Sequence, residues 1–331
     1  MQESSLPEIP VCDVGENFPM ELADCIGERG YELLEMATSH VSRRSLRFVD
    51  WLSRRWLVHS GSSYLPEIDS LAQRSRMPGI YFLNVSYEWG CTTAARPSLT
   101  GPTAVFQRTL DWDVKGIGRF VVAARIANSL GNWISLTWPA FTGVIQGVAP
   151  GRFAAAINQP TRARRVGLTA IDRLLSHHQS WRSRGIQPIH LLRRVFETSP
   201  DFDSARRTLQ TTPISTPAIF TLAGIKADQT VIIERRAHEA IELVDAYAAN
   251  EWRAAPVGFG HYPATDNDAR LAAMRAAPPD WDPELRWVRW PLLNTETRLA
   301  MMAEPANGRL VVRGYESGAP ATQILMLPAS G

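Results

Sequence analysis

Cysteine is scarce in this chain of 331 residues, which contains Cys12, Cys25 and Cys91 and no other. Three cysteines at irregular spacing are too few for a disulfide framework, and no pair has the C-x-x-C spacing of a structural zinc site. A chain of this length can bury a core large enough to fold without cross-links. We therefore expect all three cysteines to be reduced thiols.

Metal and nucleotide motifs are also lacking. The seven histidines are scattered without an H-x-H or H-E-x-x-H pair, and the chain has neither a G-x-G-x-x-G sequence nor a phosphate-binding loop. These absences disfavour metal catalysis and nucleotide chemistry, so we expect no metal and no cofactor. A Cys–His dyad between Cys91 and His238 or His261 has no local signature.

Net charge is low, and long apolar runs are absent from the sequence. The formal charge is +2, whereas nucleic-acid binding normally needs a concentrated basic surface, so we expect no nucleic-acid partner. No window approaches the length of an uninterrupted apolar membrane span, and the N-terminal residues have neither a cationic start nor the apolar centre of a secretory signal. We expect a cytoplasmic protein, and the scarcity of lysine beside abundant arginine suggests a bacterial source.

Apolar periodicity divides the chain into helical and extended regions. Residues 18–60 have apolar side chains at helical spacing. From IYFLNVSYEW, which begins at Ile80, to residue 158, runs rich in Val, Ile, Phe and Trp alternate with turn residues, as in antiparallel hairpins. Helical patterns over 168–210 precede further strand patterns over 217–249. This order of elements predicts a layered α+β fold.

One cysteine has chemically informative neighbours. The stretch YEWGCTTAARP places Cys91 directly after a glycine. Farther along, RTLDWD supplies Arg108 and Asp111, GRFAAAINQ contains Asn158, and AYAANEW contains Asn250. A free cysteine usually behaves as a small buried apolar residue, so Cys91 alone would say little about catalysis. The hypothesis of a nucleophile depends on these neighbours.

At these motifs the sequence resembles the acid ceramidase and N-acylethanolamine-hydrolysing acid amidase branch of the choloylglycine hydrolase family, whose members are N-terminal nucleophile hydrolases. The resemblance covers about residues 80–270 and includes FLNVSYEWGCTT, RTLDWD and FTGVIQGVAPGRFAAAINQ. It implies a four-layer αββα sandwich of two antiparallel sheets flanked by helices. It also implies self-cleavage between Gly90 and Cys91, which would divide the chain into a helical segment 1–90 and a catalytic domain 91–331. A glycine before the cut would suit an unusual backbone conformation.

The resemblance assigns a role to each motif residue. Cleavage would free the α-amine of Cys91, which could take the proton of the adjacent thiol. The guanidinium of Arg108 would lower the pKa of that thiol by charge proximity, and Asp111 would orient the amine. Asn250 would donate to the oxyanion of the tetrahedral intermediate, and Asn158 would bind the substrate amide or the oxyanion.

Departures from the family pattern leave alternatives open. Gln159 stands where the family has glutamate, so a carboxylate that some members use near the cut is a neutral amide here. A substrate-site arginine of some members matches Arg270 only loosely, and Arg270 would equally suit a helix surface. Arg108 and Asp111 could form a surface ion pair, and Asn250 could be a turn residue bonded to its own backbone.

The resemblance predicts an amidase. The substrate would be a small N-acyl amine or lipid-like amide with an apolar acyl group, and attack by Cys91 would give a thioester that water resolves. An acyltransferase, in which an amine captures the thioester, and a non-catalytic lipid-binding member of the fold are the alternatives. The sequence indicates no oligomeric state. Five tryptophans beside the strand motifs could line an acyl pocket or serve as core: Trp89, Trp112, Trp133, Trp138 and Trp252.

The segment 42–60 is a candidate membrane contact. SRRSLRFVDWLSRRWLVHS mixes arginines with Phe48, Trp51 and Trp56, which at helical spacing could lie on an anionic membrane surface. The alternative is an ordinary amphipathic helix that packs its tryptophan face on the rest of the protein. We expect the packed helix and retain the membrane contact as the alternative.

Overall fold

The computed structural model describes residues 6–38, 42–85, 89–161, 183–254, 264 and 266–328. The predicted helix at 168–178 lies outside these residues, as do Tyr87 and Glu88 of the cysteine motif. The helices are α1 (Phe18–Ile26), α2 (Glu28–Thr38), α3 (Arg43–Ser60), α4 (Leu65–Ser75), α5 (Ile80–Leu83), α6 (Pro188–Thr198), α7 (Phe202–Thr211) and α8 (Asn267–Ala276).

The strands form two sheets. Those of the first sheet are β1 (Val11–Val14), β4 (Val122–Ile126), β5 (Trp133–Thr137), β6 (Gln146–Ala149), β7 (Phe153–Asn158), β8 (Ala218–Gly224), β9 (Thr230–Arg236) and β10 (Glu239–Leu243), and they neighbour one another in that order. Those of the second sheet, in spatial order, are β11 (Tyr247–Ala248), β2 (Trp89–Pro97), β3 (Ala104–Trp112), β12 (Thr297–Glu304), β13 (Arg309–Glu316) and β14 (Ala319–Pro320), with β15 (Leu325–Leu327) also on β13.

The two sheets pack face to face between layers of helix. Strand β2 contacts β7 and β8 across the interface, where the hydroxyl oxygens of Thr93 and Thr221 lie 2.6 Å apart. Helices α6 and α7 cover the first sheet, and α8 covers the second. Strands β7 and β8 are buried along their whole length because both of their faces are covered. The predicted αββα sandwich is confirmed.

The N-terminal segment contributes a strand as well as helices. Strand β1, which the sequence pattern did not indicate, pairs in parallel with β4 at the edge of the first sheet. Helix α1 folds back on β1, so that the Cα atoms of Cys12 and Cys25 lie 6.0 Å apart and the two residues form a disulfide. The prediction of reduced thiols is therefore wrong for these two cysteines, and Cys91 is free. Spacing along the chain could not reveal that the strand and the helix fold together.

Helix α5 replaces a predicted strand. The β-rich run IYFLNVSYEW favours an extended backbone, but its first four residues form a helical turn. The buried carboxylate of Asp50, on α3, accepts hydrogen bonds from the backbone N–H groups of Gly79 and Phe82. This contact between distant residues holds the turn and overrides the local propensity.

The C-terminal strands complete the second sheet, and one of them shifts its pairing register near Cys91. Strands β12 and β13, to which the sequence patterns assigned no structure, extend the sheet from β3. The register of β12 on β3 shifts between Thr297 and Leu299, opposite Asp111. Such a bulge redirects a side chain, and the hydroxyl of Thr297 donates to the Asp111 carboxylate at 2.8 Å.

No helix within the described ranges is both long enough and apolar enough to span a bilayer.

Candidate active site

Cys91 lies on β2 with its side chain between the two sheets. Side chains alternate along a strand, so the residues of β2 and β3 divide between an inner face toward the first sheet and an outer face toward α8. The register places three cross-strand pairs on the inner face: Trp89 with Trp112, Cys91 with Leu110, and Thr93 with Arg108. Gly90 and Asp111 form a pair on the outer face.

Arg108 binds the Cys91 sulfur. Its Nη2 lies 2.9 Å from Sγ and also donates to the carbonyl of Ile157 at 2.9 Å, while Nη1 donates to Oδ1 of Asn158 at 2.8 Å. The Asn158 amide in turn donates to the carbonyl of Ala249 at 3.0 Å. Cys91, Arg108 and Asn158 are fully buried. The guanidinium is therefore held in place by the opposite sheet and aimed at the sulfur.

The thiol is neutral in the uncut chain. Burial raises the pKa of Cys91 to about 12, although the positive charge of Arg108 acts in the opposite direction. The negative charge of Asp111 adds to the increase. The lowering expected from Arg108 is present as one contribution, and desolvation of the thiolate is the larger effect in the uncut chain.

Asn250 and Arg270 bind the backbone of Cys91 from the outer face. Oδ1 of Asn250 accepts the Cys91 N–H at 3.0 Å, and its Nδ2 donates to the carbonyl of Gln159 at 2.6 Å. Arg270, on α8, donates from Nη1 to the Cys91 carbonyl at 3.1 Å and from Nη2 to Asn250 Oδ1 at 3.0 Å. Both side chains are buried, which excludes the helix-surface alternative for Arg270 and the isolated turn alternative for Asn250.

Asp111 lies beside the peptide that precedes Cys91. Its carboxylate pairs with Arg270 at 3.4 Å, whereas Arg108 extends from the other face of β3. The surface ion pair between Arg108 and Asp111 is therefore not formed. Burial raises the pKa of Asp111, and the positive charge of Arg270 opposes that increase.

Gly90 packs closely against the side chains of Asp111 and Asn250. It lies in β2 with an extended backbone, so the unusual conformation expected for it is not present. A Cβ at this position would lie 3.3 Å from the Cβ of Asp111 and 3.7 Å from Oδ1 of Asn250. A side chain at position 90 would therefore require Asp111 to shift by a few tenths of an ångström.

A cavity of about 410 Å³ opens on this outer side. The residues that line it include Gly90, Asp111, Gln159, Asn250, Arg270 and Trp290. The backbone at the expected cut therefore borders open space, whereas the sulfur faces the interior. Within the described part of the chain, no group of three or more His, Cys, Asp or Glu residues is arranged to hold a metal ion.

All six residues singled out in the sequence lie at Cys91 or at its direct neighbours. Besides the contact of Thr297 with Asp111, the sequence reasoning missed two supporting contacts. Gln159 accepts the Trp89 N–H through Oε1 at 3.1 Å, and Asn267 accepts the Asn250 N–H at 3.1 Å. Gln159 was noted only as a departure from the family, and no sequence signal distinguished Asn267.

The two facing sheets flanked by helices, with Cys91 between the sheets, form an αββα sandwich. The chain is similar to an N-acylethanolamine-hydrolyzing acid amidase of Caenorhabditis elegans, with 22% identity over 259 residues that cover 73% of this chain and 71% of the relative. No protein-family model matches the sequence.

The fold is also similar to that of a solved structure. The structure of the Caenorhabditis elegans N-acylethanolamine-hydrolyzing acid amidase ortholog matches with a TM-score of 0.51 and 17% identity, over 65% of this chain and 93% of that one. Penicillin V acylase from Agrobacterium tumefaciens gives a TM-score of 0.43 and 12% identity, over 72% and 86% of the two chains.

Proposed function

We propose that this protein is an amidase that hydrolyses a linear C–N bond other than a peptide bond, with Cys91 as its nucleophile. One observation carries the proposal: a single cysteine is bound at three of its atoms by three different side chains. Arg108 contacts the sulfur, Asn250 accepts from the backbone nitrogen, and Arg270 donates to the carbonyl oxygen. A structural cysteine in a core needs none of these contacts.

The first step would be self-cleavage. The Cys91 sulfur attacks the carbonyl carbon of Gly90, the S–C bond forms, the Gly90–Cys91 C–N bond breaks, and the thiol proton passes to the departing nitrogen. Water then hydrolyses the thioester, which leaves a carboxylate on Gly90 and a free α-amine on Cys91. The products would be segments 1–90 and 91–331. Two contacts support this step because they hold Cys91 in place: Asn250 accepts from the nitrogen of the bond that breaks, and Arg270 binds the Cys91 carbonyl on the following peptide.

The new terminus supplies the base for turnover. An α-amine titrates near pH 7.7–8.0 and can take the thiol proton, after which the thiolate attacks the substrate carbonyl. Arg108 stabilises the thiolate, and Asp111 lies on the amine side of β2, where it can orient the amine. The Nδ2 group of Asn250, which donates to the Gln159 carbonyl in the uncut chain, would donate to the oxyanion after cleavage, and Asn158 holds Arg108 through Oδ1. Water resolves the thioester and releases the acid.

The substrate proposed is an N-acyl amine or lipid-like amide with an apolar acyl group. The similarity to an N-acylethanolamine-hydrolyzing acid amidase supports this class. Acyl transfer would use the same thioester and differ only in the acceptor. A panel of acyl amides offered with and without added amines would separate the two reactions, since transfer yields a new amide and hydrolysis yields the free acid.

Intact-mass and peptide mass spectrometry test the proposal. We expect wild-type protein to yield a species that begins at Cys91 and to hydrolyse acyl amides. Cys91→Ala should remain uncut and inactive while it still unfolds in a cooperative thermal transition, and Cys91→Ser should be cut slowly. Wild-type protein that stays whole, or a Cys91→Ala variant that still hydrolyses acyl amides, would overturn it.

We also propose that α3 contacts anionic membranes. One stripe of the helix faces outward at i, i+3, i+4 and i+7 spacing, and we call it the α3 outer stripe: Arg44, Arg47, Phe48, Trp51, Arg55 and Val58. Phe48 is 60% exposed and Trp51 54%, and their rings stack with centroids 6.1 Å apart. Leu46 and Trp56 on the opposite side are buried, so the packed-helix expectation holds for that side. Exposed aromatic rings among arginines match the charge and polarity of an anionic lipid surface.

A further inference from the structure

The Cys91 sulfur has a polar side and an apolar side. Along the inner face of the second sheet, the next cross-strand pair in one direction is Thr93 with Arg108. The next pair in the other direction is Trp89 with Trp112. Residues two apart on a strand share a face, so the indole of Trp89 is the inner-face neighbour of the thiol.

Three tryptophans form an aromatic row on the apolar side. The ring centroids of Trp89 and Trp112 lie 5.5 Å apart, and those of Trp112 and Trp138 lie 5.6 Å apart, both edge to face. All three side chains are buried. The Trp138 indole N–H donates to the carbonyl of Ile117 at 2.8 Å, which fixes that ring. The row is therefore a rigid apolar wall of the kind that receives a flat ring.

Self-cleavage and turnover would each place an acyl group on the Cys91 sulfur, one after the other. In self-cleavage the acyl group on Cys91 is Gly90, and the side chain that precedes it is Trp89. In turnover the acyl group on the same sulfur belongs to the substrate. The two thioesters therefore require the same space beside the thiol. After hydrolysis Gly90 is a free carboxylate, and Trp89 is no longer covalently joined to Cys91.

We infer that Trp89 occupies the acyl-binding site in the uncut chain and that the substrate acyl group takes its place against Trp112 and Trp138 after cleavage. This inference rests on the proposed function. The acyl group that best fills the space left by the Trp89 indole is one that carries an aromatic ring, such as an arylacetyl group. Trp112 and Trp138 are then specificity-determining residues, and the proposed substrate is an arylacyl amide of a small amine.

Two amides of the same amine and equal acyl carbon number test the preference. We expect cleaved wild-type enzyme to favour the phenylacetyl amide over the octanoyl amide by about tenfold or more in kcat/KM. Trp112→Leu should remove most of that ratio by raising KM for the phenylacetyl amide. The matched control is Trp133→Leu, a buried tryptophan that packs on Phe18 and Phe196 and whose loss should leave the ratio unchanged. Equal rates for the two amides, or an unchanged ratio in Trp112→Leu, would overturn the inference.

A peptide inhibitor tests the same site without a core substitution. The peptide VSYEWG, residues 85–90, ends as the product of self-cleavage does and should inhibit the cleaved wild-type enzyme competitively. The inhibition constant of VSYEAG should be at least about tenfold higher. Equal inhibition, or none by either peptide, would overturn the inference. A chain that stays uncut and inactive toward every amide would refute the proposed function itself, whereas a cut and active enzyme without preference for a ring would refute only this inference.

Discussion

The side-chain oxygen of Gln159 accepts a hydrogen bond from the backbone N–H of Trp89 at 3.1 Å, while the Gln159 carbonyl accepts one from Asn250 at 2.6 Å. Gln159, which directly follows β7, thus links Trp89, the residue before Gly90, to the asparagine that binds the Cys91 backbone. A neutral amide can make this contact at any pH at which the protein is folded.

Removal of the Gln159 side-chain acceptor should slow self-cleavage. Gln159→Leu leaves the Trp89 N–H without this partner, at a cost of about 1–3 kcal/mol, which corresponds to roughly 5- to 150-fold if the cost falls on the cleavage step. Gln159→Glu retains an acceptor and should cleave faster than Gln159→Leu. The measurement is the time course of the fragment that begins at Cys91, and equal rates for Gln159→Leu and wild type would contradict the expectation.

The stability of the fold should depend on His190 below neutral pH. Burial, with a further contribution from the charge of Arg193, lowers the pKa of His190 to about 3, and its Nε2 lies 2.9 Å from the Thr142 hydroxyl. Between pH 6.5 and 3 the unfolded chain binds a proton at this position that the folded chain does not. The free energy of unfolding should therefore fall as pH decreases in this window, by up to about 1.4 kcal/mol per pH unit.

Urea unfolding at pH 6.5, 5.5 and 4.5 isolates this contribution. Cys91→Ala should serve as the uncut reference, and Cys91→Ala with His190→Gln as the comparison, because glutamine can still bond to Thr142 but does not titrate. The reference should lose stability more steeply on acidification. Parallel pH profiles of the two proteins would show that His190 does not contribute.

The disulfide between Cys12 and Cys25 should leave one reactive cysteine in unreduced protein. Iodoacetamide added to the denatured chain should label Cys91 alone, and prior reduction should raise the number of labelled cysteines to three. The double variant Cys12→Ser/Cys25→Ser should lose about 2–3 kcal/mol of stability because a short loop of the unfolded chain is released. Three labels without reductant would contradict the cross-link.

The α3 outer stripe should bind anionic vesicles. The double variant Phe48→Ala/Trp51→Ala loses two aromatic side chains, each worth about 1.5–3 kcal/mol if fully buried in lipid, so sedimentation with phosphatidylglycerol vesicles should fall at least about tenfold. High salt should also weaken binding because the arginines act through charge. Trp290→Ala, which removes a tryptophan 72% exposed outside the stripe, is the matched control. Equal sedimentation of the double variant and the control would contradict the contact.

Much of the architecture could be predicted from periodicity, because buried strands such as FAAAIN and amphipathic helices have strong local patterns. Elements that depend on distant contacts could not. Strand β1 needs β4 as a partner, and α5 needs the carboxylate of Asp50. The disulfide likewise depends on how α1 folds back on β1, which no spacing along the chain records.

The candidate site shows the same division. Its residue types could be singled out because a cysteine after glycine, followed by arginine, aspartate and two asparagines, resembles a known family. Their arrangement on two faces of β2 and β3 follows only from the register of the pairs Thr93 with Arg108 and Gly90 with Asp111. The direction of the Cys91 pKa shift could not be predicted from residue types either, because it depends on how deeply the thiol is buried.

The parallel pairing of β1 with β4 has a consequence for any chain divided after Gly90. The shorter piece would stay bound because its strand Val11–Val14 is hydrogen-bonded to β4. It also contacts the C-terminal region, where the backbone N–H of Gln323 donates to the Pro7 carbonyl at 2.9 Å. The two pieces would then copurify in native buffer and separate only in denaturant. If the two pieces are produced as separate polypeptides and mixed, they should reassemble into the complete sandwich.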